Sequence, residues 1–323
     1  MKQIKVKFVD FWPTFNPDDN VFVSALSKHL DVKVLEHNSA ERPDILFYTL
    51  LGIDHYRYHD CIKVYYTGEN DVPDFNECDY ALSFHNIDFN GRHMRYPLYM
   101  TYEIDEALTP PALTDAQALN RGFCTLLMRN ADKCDPMRLK IIDAVNRYKP
   151  LAFGGPYRNN IGGAVPQDEK ISFTAGYKFN LALENTSIPG YITEKIVEPF
   201  AAPTVPIYWG APDIARDFNP EAYINVSDYD SIDSFIADLQ AIDNDPARYL
   251  AMLRAPRLKA GRRIEFDEML SEFLCGIALH GHICRPFNAM GELIYRRNRI
   301  QQTVLHSPRL LSLLARLRLL PTP

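Results

Sequence analysis

Short runs of β-branched and aromatic residues alternate with helical patterns along the first half of the chain, and the second half repeats the alternation. Alternation of this kind is typical of twisted sheets with helices packed on them. The sequence therefore predicts an α/β fold. The segments that alternate in this way cover residues 4–11, 21–30, 32–36, 45–50, 62–66, 80–84, 135–148, 178–183, 194–202, 205–209, 223–226 and 231–244.

A stretch rich in Gly, Pro and Asn over residues 150–163 separates the two halves. Such composition is typical of a linker, so we place a domain junction near residue 150. This gives an N-terminal domain over 1–149, a C-terminal domain over 150–300 and a leucine-rich tail over 301–323. Ligands of open parallel sheets bind at the carboxyl ends of the strands, so we expect the functional site in the cleft between the two domains.

The chain has 323 residues, 46% of them hydrophobic and 24% charged, as in a globular protein of two domains. Its net charge of -6 argues against a nucleic-acid partner, because a phosphate backbone requires a basic surface. The N-terminus reads as a first strand rather than a signal peptide, and no stretch reaches the ~20 apolar residues that span a bilayer. We therefore predict a cytoplasmic location. The six cysteines show no metal-ligand spacing.

The first candidate segment is Val64-Tyr65-Tyr66-Thr67-Gly68-Glu69-Asn70, in which an apolar strand ends in a small turn. Glu69 then lies at the carboxyl end of a strand, where a carboxylate can accept a proton as a general base. The alternative is a loop glutamate that caps a helix or is solvated at the surface.

The second candidate segment is Gly154-Gly155-Pro156-Tyr157-Arg158-Asn159-Asn160, a glycine-led turn that carries one cation. The planar guanidinium of Arg158 matches the geometry of phosphate oxygens, and it would neutralise a departing diphosphate. The alternative is a surface arginine in a loop between domains.

The third candidate segment begins at Tyr177 and reads as a strand over 178–183, a polar loop and a helix that begins near Thr193. If Thr193 caps the helix, Glu194 and Lys195 occupy its first turn, with Tyr191 just before it. A lysine in a first turn opposes the helix dipole unless an anion binds there. Asn185 and Glu194 are candidates to bind sugar hydroxyls; the alternative is an ordinary first-turn pair.

The run Tyr-Lys-Phe-Asn-Leu-Ala-Leu-Glu-Asn at 177–185, followed by Gly-Tyr-Ile-Thr-Glu-Lys-Ile at 190–196, closely resembles the signature of the α-1,3/4-fucosyltransferases, glycosyltransferase family 10. The resemblance covers roughly residues 60–230. It departs from the expected pattern at Pro199, which should kink the predicted helix, and in the absence of heptad repeats after the catalytic region. The further segments that carry it are residues 66–70, 88–90, 95–99, 205–212 and 217–220.

The resemblance implies a GT-B architecture, in which two Rossmann-like domains face each other across a cleft and the C-terminal domain holds GDP-fucose. It implies an inverting single displacement in which cationic side chains of the protein neutralise the leaving group. No bound metal would then be required, and any stimulation by divalent cations would be non-essential. The implied roles are general base for Glu69, diphosphate binding for Arg158 and Lys195, ribose or base contacts for Asn185, Tyr191 and Glu194, and the fucose pocket for Tyr66.

The implied acceptor is N-acetylglucosamine within an N-acetyllactosamine-type oligosaccharide, linked α-1,3 to give a Lewis X-type surface glycan. Two alternatives stay open: a transferase that uses another GDP-sugar or makes an α-1,4 linkage, and a non-catalytic protein that binds a nucleotide sugar or glycan. The tail holds seven leucines and three arginines over residues 308–323. We expect it either to contact an anionic membrane peripherally or to dock on the protein itself.

Overall fold

Two parallel β-sheets organise the chain in the computed structural model, which describes residues 1–102, 109, 111–129, 131, 134–286, 293 and 297. The predicted α/β fold is confirmed. The first sheet contains β1 (Gln3–Val9), β2 (Asp31–Val34), β3 (Ile45–Tyr48), β4 (Ile62–Tyr66), β5 (Tyr80–Ser83) and β6 (His93–Arg95). The second contains β7 (Gly122–Leu126), β8 (Ala152–Phe153), β9 (Tyr177–Leu183), β10 (Val205–Trp209) and β11 (Ile224–Asn225).

Both sheets have the same kind of strand order. The first runs β2-β1-β3-β4-β5-β6 and the second runs β8-β7-β9-β10-β11, with every pair parallel. The direction of winding reverses between β1 and β3 in the first sheet and between β7 and β9 in the second. Crevices at the carboxyl ends of the strands form at such reversals, so each sheet has one natural ligand site.

Eight helices accompany the sheets in the described part of the chain. Their N-termini follow the usual capping chemistry: Asn20, Asp135, Thr193 and Ser231 each accept hydrogen bonds from the first-turn backbone amides. The helices are α1 (Val21–Ser27), α2 (Asp115–Leu119), α3 (Pro136–Tyr148), α4 (Lys170–Thr174), α5 (Glu194–Ala201), α6 (Ile232–Asn244), α7 (Pro246–Arg254) and α8 (Arg262–His280).

The largest buried cluster joins the two sheets. It includes Val6 and Phe47 of the first sheet, Ile196 and Phe200 of α5, and Leu270 of α8. A second cluster fills the space between the second sheet and α3, α6 and α7. Helix α5 packs on β9 and β10 of the second sheet, and its apolar residues also share this cluster with the first sheet, so it joins the two sheets.

The predicted domain boundaries need correction. β7 pairs with β9, so the second sheet already begins at Gly122, ahead of the predicted junction near residue 150. The Gly-rich stretch that suggested a linker instead contains edge strand β8, after which Gly155 packs on the backbone of Met128. At the other end, α8 packs against α1 of the first sheet, and Arg285 pairs with buried Asp79. The chain therefore returns to the N-terminal domain before residue 300.

Helix α5 continues through Pro199 to Ala201, so the proline does not end it. Among the described residues, no helix is both long enough and apolar enough to span a membrane. The tail over residues 301–323, together with its predicted membrane contact, lies outside the described residues.

Candidate active site

Glu69 lies in the turn that follows β4, at the carboxyl end of the first sheet. The hydroxyl of Thr67 accepts a hydrogen bond from the Glu69 amide at 3.1 Å, and the Glu69 carbonyl accepts one from Asp71 at 2.8 Å. Gly68 is required between them, because a Cβ there would come within 2.6 Å of the Leu98 side chain. Within the described part of the chain, the exposed Glu69 carboxylate has no hydrogen bond or ion pair, so it is free to accept a proton.

A cavity of about 500 Å³ opens beside Glu69. It lies at the carboxyl ends of β1, β3 and β4, which is where the winding of the first sheet reverses. Its walls combine aromatic and aliphatic surface with hydroxyl groups, a mixture that suits a sugar ring with one apolar and one polar side. The lining residues are Trp12, Thr14, Thr49, Leu50, Leu51, Tyr66, Thr67, Gly68, Glu69, Leu98, Thr101 and Tyr102.

A cluster of hydrogen-bonded charges forms where β9 ends and α5 begins. Glu184, at the end of β9, is fully buried and accepts hydrogen bonds from the Thr193 amide and hydroxyl, each at 2.8 Å. The Lys195 ammonium lies 3.3 Å from the Glu184 carboxylate and 3.2 Å from that of Glu194. The predicted cap at Thr193 is confirmed, and it binds Glu184 as well as the helix amides.

The electrostatics of this cluster keep Lys195 charged. Burial alone would lower the pKa of Lys195, but the carboxylates of Glu184 and Glu194 outweigh burial and raise it. Burial raises the pKa of Glu184, with Lys195 opposing the shift. For Glu194 burial also acts upward, yet Lys195 and hydrogen bonds hold its pKa below the usual value. The result is a permanent cation, three-quarters buried, at the N-terminus of a helix.

Tyr102 connects the Glu69 turn to this cluster. It lines the cavity beside Glu69 and follows a turn, Leu98–Thr101, that packs against α5. Its pKa is raised to about 12, first by burial and then by the negative charges of Glu194, Glu198 and Glu69, while Lys195 lowers it. The charges of Glu69, which follows a strand of the first sheet, and of Glu194, in the first turn of α5, therefore both act on this one tyrosine.

Arg138 is a further cation on the donor side of the cleft, and the sequence interpretation missed it. Its side chain is 6% exposed and donates from Nη1 to the Asn185 side chain at 3.0 Å, where the winding of the second sheet reverses. Its Nε has no hydrogen-bond partner among the described residues. Burial lowers the pKa of Arg138, whereas Glu184 and Tyr191 raise it. Recognition of β7 in the sequence would have indicated Arg138, because Arg138 lies in the first turn of α3, the helix that follows the carboxyl end of β7.

Arg158 is not part of the charge cluster in this structure. It follows edge strand β8 with a left-handed φ of 52°, and its guanidinium pairs with Asp143 at 2.5 Å and lies over the Tyr157 ring. Both partners of this ion pair are about half exposed. To bind a diphosphate, Arg158 would have to exchange Asp143 for phosphate oxygens.

The two tyrosines predicted to contact the donor are almost fully buried. Tyr66 is 1% exposed, at the cavity beside Glu69, and burial raises its pKa. Tyr191 is 2% exposed because its ring packs on Phe84 of the first sheet, with centroids 5.0 Å apart. The adjacent Gly190 has a φ of 80°, and a Cβ there would come 2.5 Å from the Phe84 carbonyl oxygen. Tyr191 and Gly190 therefore join the two sheets at the cleft.

Solved structures of fucosyltransferases share the fold of this chain. The chain matches a crystal structure of an α1,3-fucosyltransferase with GDP, with a TM-score of 0.74 and 29% identity over 88% of this chain and 92% of that one. A structure of an α1,3-fucosyltransferase with GDP-fucose gives a TM-score of 0.74 at 28% identity, over 88% of this chain and 94% of that one. The architecture is therefore of the GT-B type, as expected.

The matches to sequence relatives cover a smaller share of each relative's length. The α-(1,3)-fucosyltransferase FucT of Helicobacter pylori is 34% identical over 254 residues, which are 68% of this chain and 52% of that protein. The α-(1,4)-fucosyltransferase of Arabidopsis thaliana is 36% identical over 142 residues, 38% of this chain and 35% of that protein. The chain thus spans about half the length of the bacterial relative.

Two family models match in succession along the chain. The model of the α-(1,3)-fucosyltransferase FucT N-terminal domain matches residues 6–102, which hold the first sheet and the Glu69 turn. The model of the C-terminal part of glycosyltransferase family 10 matches residues 94–275, which hold the second sheet and the Lys195 cluster. The chain therefore belongs to glycosyltransferase family 10, the fucosyltransferases.

Proposed function

We propose that this chain transfers L-fucose from GDP-β-L-fucose to a glycan hydroxyl with inversion, and that the acceptor is N-acetylglucosamine of an N-acetyllactosamine-type chain, linked α-1,3. The observation that carries the proposal is the placement of Glu69. Glu69 lines a sugar-sized cavity of the first sheet, and another wall of that cavity, the turn Leu98–Thr101 with Tyr102, packs against the helix that carries Lys195. A base and a cation on opposite sides of one cleft are what a single displacement requires.

The step balances with these groups alone. Glu69 takes the proton of the acceptor hydroxyl, and the acceptor oxygen forms a bond to the anomeric carbon. On the opposite side of that carbon, the bond to the β-phosphate oxygen breaks, and GDP leaves with the electron pair. A β-linked donor thereby gives an α-linked product. A positioned general base contributes typically ~10²–10⁴ in rate.

The leaving diphosphate would be bound by cations. Lys195 provides an ammonium group whose pKa is raised, so that it stays charged. It lies at a helix N-terminus, where the backbone amides also favour anions. We propose that Arg158 joins it after releasing Asp143, and that Asn185 and Glu194 contact the nucleotide, with Asn185 held by Arg138. Fixed positive charge at a developing anion is a large catalytic contribution, so we propose that no metal ion is required.

The decisive experiment incubates the purified chain with GDP-fucose and a panel of disaccharides and determines the product linkage by NMR. We expect an α-1,3-linked product on N-acetyllactosamine, with activity retained in EDTA. GDP-mannose in place of GDP-fucose serves as the donor control. An α-1,4 product, which the likeness to the Arabidopsis relative makes worth testing, would correct the linkage; transfer of mannose but not fucose would refute the proposed donor.

Substitution Glu69→Gln tests the base directly. The amide has nearly the same shape but cannot accept the proton, so we expect kcat to fall by about 10²–10⁴ while GDP binding measured by calorimetry stays unchanged. Equal turnover by Glu69→Gln would remove Glu69 from this role. A wild-type chain that binds GDP-fucose and glycan but never transfers would favour the alternative of a non-catalytic binding protein.

The proposed place of action is the cytoplasm, at a membrane surface. Support comes from the sequence of residues 308–323, whose seven leucines and three arginines could lie on anionic lipid. The GDP-sugar donor and the glycan acceptor would then meet at that surface.

A further inference from the structure

Asp10 has an unusual backbone conformation at the point where β1 leads into the acceptor side of the cleft. Its φ is 61°, in the left-handed region that non-glycine residues seldom adopt. Such a conformation persists only where surrounding contacts impose it, and such residues cluster at functional sites. The contacts of Asp10 therefore indicate what the conformation accomplishes.

The Asp10 side chain, 4% exposed, binds the loop that follows β3. Its carboxylate accepts hydrogen bonds from the backbone amides of Asp54 at 2.9 Å and His55 at 3.0 Å. The Nδ1 atom of His55, whose side chain is 5% exposed, lies 2.6 Å from the same carboxylate. In return, the Thr49 hydroxyl donates to the Asp10 carbonyl oxygen. The two loops are thus connected by four hydrogen bonds over a separation of about forty residues in sequence.

Close packing surrounds the Asp10–His55 pair. A Cβ at Gly52 would lie 2.3 Å from an Asp10 carboxylate oxygen, so glycine is required there. The His55 ring stacks on Tyr48, with centroids 4.2 Å apart, and contacts Tyr56 at 4.1 Å. The ring is therefore held in orientation by packing as well as by its bond to Asp10.

Both connected loops form walls of the cavity beside Glu69. The loop after β1 contributes Trp12 and Thr14, and the loop after β3 contributes Thr49, Leu50 and Leu51. Leu50 and Leu51 are about half exposed, so their side chains are held at the cavity by the backbone rather than by burial. Neither Asp10 nor His55 is among the cavity-lining residues. The pair consequently acts through the loops.

We propose that Asp10 and His55 are positioning residues for the acceptor: they fix the two loops that bind the acceptor sugar against Glu69, and they leave donor binding untouched. The inference rests on the proposed function, because it takes the cavity beside Glu69 as the acceptor site. The chemistry of the walls fits a neutral sugar, with the Trp12 indole and two leucines for its apolar face and Thr14 and Thr49 for its hydroxyls.

The test compares variants that break and restore the hydrogen bond. His55→Phe keeps a ring between Tyr48 and Tyr56 but removes the Nδ1 donor, whereas His55→Asn returns an N–H donor at a similar position. For His55→Phe we expect the KM for the acceptor to rise about tenfold or more, since small misplacements of a binding group are costly. The KM for GDP-fucose and the affinity for GDP should stay within about twofold of wild type. His55→Asn should recover most of the acceptor affinity.

A control separates positioning from general destabilisation. Asp44→Ala removes a carboxylate that accepts the Lys5 amide at 2.8 Å, at the amino end of β3 and away from the cavity. At equal loss of thermal stability, Asp44→Ala should keep the wild-type acceptor KM. Acceptor binding is also followed by saturation-transfer NMR, which does not depend on turnover.

Two results overturn the inference. One is a His55→Phe variant with an unchanged acceptor KM, and the other is a parallel loss of GDP affinity, which would make the pair merely structural. Failure of the proposed function would look different, because the wild-type chain itself would then transfer no fucose to any acceptor.

Discussion

At the scale of single residues, Lys195 and Arg158 represent two different kinds of cation. Lys195 is three-quarters buried between two carboxylates, one of which, Glu184, is completely buried. Arg158 is about half exposed in a surface ion pair with Asp143. The proposed role is the same for both, but the protein depends on them differently: only Lys195 also neutralises a charge that the fold has buried.

This difference predicts distinct outcomes for the two alanine variants. Lys195→Ala should weaken GDP binding, slow transfer and lower the melting temperature, because it leaves Glu184 buried without its counter-charge. Arg158→Ala should weaken GDP binding but leave stability within ~1 kcal/mol, since exposed ion pairs contribute little. Calorimetric titration with GDP and thermal unfolding measure both effects.

A double variant separates the two roles of Lys195. In Lys195→Ala with Glu184→Gln the buried charge is gone, so stability should recover while GDP affinity does not. GDP affinity equal to wild type in Lys195→Ala or in Arg158→Ala would exclude that residue from the donor site.

At the scale of elements, helix α5 depends on one hydroxyl. Thr193 caps the helix through the Lys195 amide and also donates to Glu184. Thr193→Val keeps the shape and removes both bonds, so it should cost about 1–3 kcal/mol in the free energy of unfolding. Thr193→Ser keeps the hydroxyl and should cost clearly less. Urea unfolding followed by fluorescence compares them, and equal midpoints for the two variants would contradict this role of the hydroxyl.

Elements with strong local patterns were predicted well. The bounds of β4 and β10 agree with the predicted runs, and Thr193 and Ser231 begin their helices as expected. Strand β7 was missed because its five residues include Gly, Cys and Thr, which give no clear alternation. That omission moved the predicted junction to residue 150 and hid Arg138, whose position depends on where β7 ends.

At the scale of the whole molecule, a buried ion pair joins the two sheets. Arg95 of β6 donates two hydrogen bonds to Asp217, which follows β10 and also accepts from Arg262 at 2.9 Å. Asp217→Asn should destabilise the protein by about 3–5 kcal/mol, because two guanidinium groups lose their shared counter-charge. As a control, Asp238→Asn breaks the more exposed pair with Arg248 and should cost less than about 1 kcal/mol. Thermal unfolding measures both variants. Equal shifts in melting temperature would contradict a larger contribution of the interdomain pair to stability.

The sequence by itself determined the local chemistry of this protein: the α/β alternation, the cap at Thr193, the carboxylate after β4 and the first turn of α5. Each of these depends on residues within one element and its adjoining turn, where spacing alone determines geometry. Tertiary structure decided the rest, because it brings together residues far apart in the chain. The Asp10–His55 pair joins positions 45 residues apart, and the Arg138–Asn185 bond joins positions 47 apart. Which strands lie side by side, and hence which loops meet at the cleft, follows from burial of the sheets against their helices, and burial is a property of the folded chain.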